Sequence, residues 1–145
     1  MAFNTNKVIN GTFGSIKIDD VDVQNVIGLE ATVSIEKEEV KQCGTLSKGY
    51  KVTGTEGKGT VKLNKINSMF IEKISDNLRE GKDTVCTIVS ELADPASDGV
   101  ETIQLNGCTF DKLTLTDWES KKLGEESYDF TFTDWEIISS ITPDY

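Results

Sequence analysis

The fragment Gly57-Lys58-Gly59-Thr60, inside the stretch GYKVTGTEGKGTVKLNK (Gly49–Lys65), is where this sequence comes nearest to phosphate chemistry. A phosphate loop of the Walker type reads G-x-x-x-x-G-K-[S/T], with a glycine five places before the Gly-Lys pair and a hydroxyl directly after the lysine. Val52 and Gly59 hold those two positions here. Such a loop must also open a helix, whose N-terminal N–H groups hold the anion, whereas Gly59-Thr60-Val61-Lys62-Leu63 alternates as a strand does. The stretch is not a phosphate cradle, and its glycines need another reason.

The other routes to chemistry close in the same way. The chain contains no histidine, which removes the Ser-His-Asp and Cys-His arrangements and the commonest metal ligand together. Cys43, Cys86 and Cys108 are odd in number and show no C-x-x-C spacing, so free thiols in a reducing cytoplasm are expected. ADPASDG, with Asp94-Pro95 and Asp98-Gly99, has the chemistry of a turn, and it offers too few liganding positions for a calcium loop. Paired carboxylates could still act as acid and base, but geometry identifies such pairs and spacing does not. No catalytic residue, metal ligand or cofactor is therefore assigned, and an enzyme is not expected.

The formal charge is −10, from 25 acidic against 15 basic residues, and Arg79 is the single arginine. Polyanion binding rests on clustered Lys and Arg that release counterions, so specific nucleic-acid binding is not expected. Such a charge serves solubility, or a surface that must not hold on to DNA. No stretch has the apolar length of a transmembrane helix, and the opening MAFNTNKVIN lacks a signal-peptide core. At 145 residues the chain suits a single domain over 1–145, able to bury roughly 70% of its unfolded surface.

The elements that position these residues are mostly strands. SIKIDDVDV sets Ile16 and Ile18 on one side, with Asp19-Asp20 as a turn. GLEATVSIEKEEV sets Leu29, Ala31, Val33 and Ile35 against Glu30, Thr32, Ser34 and Glu36, and its expected partner lies across Gly49–Leu63. Residues 38–59 read as a long polar excursion carrying Lys41, Lys48, Lys51 and Lys58, with Gly54, Gly57 and Gly59 at bends. Ile66, Met69, Phe70, Ile74 and Leu78 recur at spacings of three and four, which predicts one helix over about 64–81 closed by Gly81. TVCTIVSEL and VETIQLNGCTF read as strands, the second with a tight turn or bulge at Asn106-Gly107. LTLTDWE (Leu113–Glu119) and FTFTDWE (Phe130–Glu136) form a near-repeat, expected to pair as an antiparallel hairpin. In that hairpin Leu113, Leu115, Phe130 and Phe132 face the core, Thr114, Thr116, Thr131 and Thr133 lie opposite, and Trp118 and Trp135 sit at the strand ends.

Long, regular polar faces and exposed strand edges suit a ring in which each subunit's sheet continues into the next. The order of segments resembles the tail tube proteins of contractile phage tails, as in defective Bacillus prophages and phage-tail-like bacteriocins of Gram-positive bacteria. The likeness runs over nearly the whole chain. It is carried by Ile9-Asn10-Gly11, Leu29-Glu30-Ala31-Thr32-Val33, Glu39-Val40, GYKVTGTEGKGTVKLNKINSMF, NGCTFDKLTLTDWE and EESYDFTFTDWE.

The resemblance implies a mainly β domain, a tail-tube-type β-barrel or sandwich with one flanking helix and a long extended hairpin at about 38–59. It implies hexameric rings stacked into a hollow tube for DNA or ions inside a contractile sheath, with baseplate or initiator and tail terminator proteins as partners. A tape measure protein would occupy the lumen during assembly. DNA would pass without specific binding, and membranes would be met only by the assembled particle. Assembly would occur in the bacterial cytoplasm, followed by residence in a virion tail or an extracellular tail-like particle. Contacts to the next ring would come from an N-terminal arm (1–10) and the hairpin, with Phe3, Asn6, Lys41, Lys48, Tyr50, Lys51 and Lys58 as candidates. By alternation, Glu30, Thr32, Ser34, Glu36, Thr114, Thr116, Asp129, Thr131 and Thr133 would line the lumen, an assignment that inverts if the register slips by one. The alternatives are a tube protein of a type VI secretion system and a β-sandwich module binding a ligand through Trp118 and Trp135.

Overall fold

A computed structural model describes residues 3–143. Its strands are β1 (Gly14–Ile18), β2 (Val21–Asp22), β3 (Val26–Val40), β4 (Gly49–Asn64), β5 (Val85–Leu92), β6 (Glu101–Phe110), β7 (Glu125–Phe132) and β8 (Asp134–Ser139). One helix, α1 (Met69–Arg79), joins β4 to β5. All eight strands belong to one antiparallel sheet in the order β2-β1-β5-β6-β7-β4-β3, with β8 also paired to β6. β1, next to one end of this path, and β3, at the other end, approach one another without pairing, so the sheet wraps its core but does not close.

The core holds the inward residues of that curved sheet. Ile16 and Ile18, Val61 and Leu63, Cys86 and Ile88, Leu105 and Cys108, and Tyr128, Phe130 and Phe132 are all buried. The helix closes over them: Phe70 stacks on Tyr128 at 4.6 Å between centroids and meets Phe110 edge-on at 5.4 Å. The helical periodicity is confirmed, but the helix is shorter than 64–81, because residues 65–68 run irregularly into it, and both Ile66 and Leu78 are exposed. Gly81 adopts φ +75° and its N–H bonds the Leu78 carbonyl, while Lys82 N–H reaches Asn77 O. That is the left-handed C-terminal closure for which glycine is favoured.

Two turns behave as their residues dictate. Asp19 and Asp20 take φ of 50° and 66°, a left-handed pair that short polar side chains tolerate. Asp19 Oδ1 accepts Thr87 N–H at 2.9 Å, and its other oxygen pairs with Lys73 on the helix, fastening the β1–β2 turn to β5 and α1. At Asn106-Gly107 a bulge adds one residue to β6, since Cys86 faces Cys108 but Ile88 faces Leu105. Gly107, at φ +67°, supplies the bend.

The near-repeat departs from expectation. FTFTDWE supplies the end of β7 and the start of β8, broken by a bend at Thr133, but LTLTDWE forms no strand. The physical reason is that neither edge of β7 remains for it. β7 is paired to β4 on one side and to β6 on the other, and β8 takes the rest of that β6 edge. Residues 111–124 therefore leave the sheet after the Asp111 N–H to Asp129 O bond and form a loop, in which Leu113 touches the core while Leu115 and Trp118 are exposed. Trp135 lies on β8, edge-on to Phe132.

Candidate functional site

The chain's longest regular feature is the β3–β4 hairpin, paired from Val26↔Leu63 to Val40↔Gly49. The excursion expected over 38–59 is thus strand on both arms, with only residues 41–48 as the turn. Gly54, Gly57 and Gly59, expected at bends, are strand residues. Gly57 and Gly59 sit within β4, facing Phe132 and Phe130 of β7, whose rings lie over them. A methyl group on Gly57 would stand 2.5–2.8 Å from three carbons of the Phe132 ring, so only hydrogen fits there.

Alternation gives the hairpin a second face. Across β3, β4 and β7 the outward rows read Glu30–Thr60–Asp129, then Thr32–Lys58–Thr131, with Ser34 opposite Glu56 and Glu36 opposite Gly54 beyond them. Thr109 of β6 extends the second row, its hydroxyl 3.0 Å from that of Thr131. Thr60 donates to Asp129 Oδ1 at 2.7 Å, and Lys58 Nζ lies 3.3 Å from Glu56 Oε1. In these rows the sheet surface holds carboxylates, hydroxyls and one lysine paired with a carboxylate, without a bulky apolar side chain, and Lys62 follows on the same side opposite Ser127.

Six of the residues selected for a lining, Glu30, Thr32, Ser34, Glu36, Asp129 and Thr131, share this face. Thr133 lies at the β7–β8 bend against Gly107, outside these rows. Thr114 and Thr116 lie on the 111–124 loop, beside a recess lined also by Lys62, Lys65 and Trp118, because the strand that would have aligned them does not form. Lys58, selected for a ring contact, stands instead within the polar face. Thr60, Glu56 and Thr109 were missed, although parity along Glu56, Lys58, Thr60 and Lys62 would have found the two on β4.

Beyond the core the hairpin continues without cover. The register shifts between Glu36 and Lys37, leaving Thr53 unmatched and setting Val52 and Tyr50 opposite Lys37 and Glu39. An extra residue reverses side-chain parity on its strand. Tyr50 and Val52 thereby join Ile35 on one side of the hairpin, exposed by 61%, 54% and 58%. Lys41, Lys48 and Lys51 are exposed near the turn. At the other end of the chain Phe3 and Asn6 are exposed, on a segment fastened by Asn10 N–H to Asp94 Oδ2 at 2.9 Å and by Lys7 to Asp98 at 3.1 Å. Met1 and Ala2 of the expected arm lie outside the described residues.

Among the described residues no cluster of His, Cys, Asp or Glu could hold a metal ion, and no helix is long and apolar enough to cross a membrane. An open wrapped sheet with one covering helix and a long uncovered hairpin is the fold of tube proteins from contractile injection machines. The solved tube terminating cap of the anti-feeding prophage superposes with a TM-score of 0.71, covering 97% of this chain and 95% of that one at 14% identity. The sheath–tube complex of the extracellular contractile injection system PVC gives 0.68, covering 96% of this chain and 100% of its own at 10% identity. Sequence narrows the class further. The chain is 31% identical to the phage-like element PBSX protein XkdM of Bacillus subtilis (strain 168), over 98% of each chain, and the phage tail tube protein family model matches residues 1–139. The protein belongs to the phage tail tube protein family.

Proposed function

We propose that this protein is the repeating subunit of the inner tube of a contractile phage tail or phage-tail-like bacteriocin, assembling as hexameric rings that stack into a hollow conduit. The polar face of β3, β4 and β7 lines the bore. The N-terminal segment and the exposed end of the β3–β4 hairpin reach the adjoining ring. The outer edge of β3 continues the sheet into the neighbouring subunit. A contractile sheath, a baseplate or initiator and a terminator are the partners, with a tape measure protein in the bore during assembly. Assembly takes place in the bacterial cytoplasm.

The observation that carries this reading is the two-faced hairpin. Its polar rows are continuous across three strands, while Ile35, Tyr50 and Val52 stand uncovered on the other side beyond the core, beside Lys37 and Glu39. A surface that passes a polyanion needs negative charge and no sticky apolar groups, and three large apolar side chains left uncovered together suit contact with a partner. The first test is negative-stain electron microscopy of the concentrated protein, alone and seeded with its initiator. Hollow tubes of uniform bore are expected, and Tyr50→Asp with Val52→Asp should abolish them while leaving the subunit folded. Tubes that form unchanged from the double variant would remove the hairpin from the ring contact. Charge reversal at Glu30 and Glu36 to lysine tests the bore: unaltered ion or DNA passage through assembled tubes would refute a charged lining there.

A further inference from the structure

We propose that Cys86 and Cys108 are a disulfide-forming pair, oxidised by a soluble low-molecular-weight disulfide as one subunit folds, to staple β5 to β6. The inference stands on the sheet register and does not depend on the tube reading. The two residues are direct partners across the antiparallel β5–β6 ladder. Opposed residues in such a ladder have Cα atoms roughly 4.5–5.5 Å apart, inside the roughly 4.4–6.8 Å that a disulfide spans.

Both side chains also point the same way. Cys108 and Leu105 are three residues apart and would face opposite sides of an unbroken strand, yet both are buried, because the bulge at Gly107 absorbs one residue. Cys86 is buried with them, its Sγ 3.7 Å from the Cys108 carbonyl, and Cys108 Sγ lies 3.4 Å from the Leu105 carbonyl. The bulge thus brings two thiols together on the core side of the sheet. Cys43, in the exposed hairpin turn, is remote in register from both.

Contact with the Cys86 thiol, aided by the Ile88 N–H, holds Cys108 below the ordinary thiol range, whereas the same contact and burial push Cys86 up. Either cysteine, once a thiolate, attacks one sulfur of the soluble disulfide, expelling one thiolate and leaving a mixed disulfide. The other cysteine, losing its proton, then attacks the protein sulfur of that mixed disulfide and expels the second thiolate. One S–S bond is broken and one formed. The two protein thiols give up two electrons and two protons, and the soluble disulfide leaves as two thiols.

The test uses the full chain carrying Cys43→Ser, so that the exposed thiol plays no part, refolded from urea with 2-hydroxyethyl disulfide present so that burial does not limit access. Expected are loss of both remaining thiols to maleimide after denaturation, no retained adduct mass, and a Cys86–Cys108 peptide pair in a non-reducing digest. The oxidised protein should keep the circular dichroism of the reduced one and melt at a higher temperature. Two free thiols, stable mixed adducts at either cysteine, or a linked product that has lost the native spectrum or melts lower would each overturn the proposal. Cys86→Ala with Cys43→Ser should retain a single thiol or adduct at Cys108.

Discussion

Gly57→Ala should destabilise the subunit even though a strand interior normally gains from the replacement of glycine. The new Cβ would lie 2.5, 2.6 and 2.8 Å from Phe132 Cε2, Cδ2 and Cζ. Carbon atoms prefer about 3.5–4.0 Å, so the ring has to withdraw by about 1 Å. It has little room, because Phe132 is buried and lies between Phe130 and Trp135 at centroid distances of 6.3 and 6.5 Å. Overpacking of this kind costs about 1–3 kcal/mol, offset by about 0.4–1 kcal/mol from the less flexible unfolded chain. At mid-range the net is about 1.3 kcal/mol, or a melting temperature lower by about 3–5 °C for a chain of this size.

Gly59→Ala should cost more. There the methyl would overlap Phe130 Cζ and also stand 2.7 Å from the Glu30 carbonyl oxygen, which cannot move without disturbing the β3–β4 ladder. Gly28 is the control, with nothing within 4 Å of an added Cβ, so Gly28→Ala should be neutral or slightly stabilising. Thermal unfolding of the unassembled subunit by circular dichroism ranks the three. Adding Phe132→Leu to Gly57→Ala should recover part of the loss through a coupling of at least about 0.5 kcal/mol. Equal melting temperatures for the Gly57, Gly59 and Gly28 variants would refute the claim that these rings exclude a side chain from the strand.

Three further outcomes follow from the anchors. Burial raises the Asp19 pKa, but the Lys73 and Thr87 hydrogen bonds outweigh it and leave it below 3.8, so its stabilisation is present above that unfolded value and lost as pH falls through the lower folded one. Asp19→Asn, which the left-handed turn tolerates, should show a shallower loss of denaturant midpoint between pH 6 and pH 3 than the parent. Burial, then the Glu126 charge, push Tyr128 up to about 12, so its contribution is full below pH 10 and is lost as pH rises through 12. Tyr128→Phe should flatten the stability of the protein across that alkaline range in the same denaturant assay. Gly81→Ala places a side chain at φ +75° and should cost about 1 kcal/mol, read as a lower melting temperature.

The elements whose signal is local were legible. Ile16 and Ile18 alternate inward, Asp19-Asp20 turns, Asn106-Gly107 bulges, and Gly81 closes the one helix, each from chemistry contained in a few residues. The segment LTLTDWE was misread because alternation reports that a strand would be amphipathic and says nothing of whether an edge is free to receive it. FTFTDWE wins the place through Phe130 and Phe132, whose rings are long enough to cover Gly59 and Gly57, whereas Leu113 and Leu115 offer smaller side chains. The same limit scattered the residues expected to form a lining: Glu30, Thr32, Asp129 and Thr131 lie on strands that exist, Thr114 and Thr116 on one that does not form.

The stretch that first suggested phosphate chemistry carries two messages at alternate positions. Gly57, Gly59, Val61 and Leu63 face inward, two of them small because rings from β7 lie over them and two large because they help fill the core. Glu56, Lys58, Thr60 and Lys62 face the polar side, where Lys58 is held by Glu56 and Thr60 by Asp129. A Gly-Lys-Gly-Thr string in a loop offers its backbone N–H groups to an anion. In this strand the same groups lie within the ladders of β4 with β3 and with β7, and an anion would have to compete with the sheet for them. What remains for function is the outward row alone, and its character is set by the cross-strand neighbours Glu30, Thr32, Asp129 and Thr131. A lysine that would hold a phosphate in a glycine-rich loop is here held beside a carboxylate in a row of threonines. Such a wall can face a passing polyanion without offering it a site.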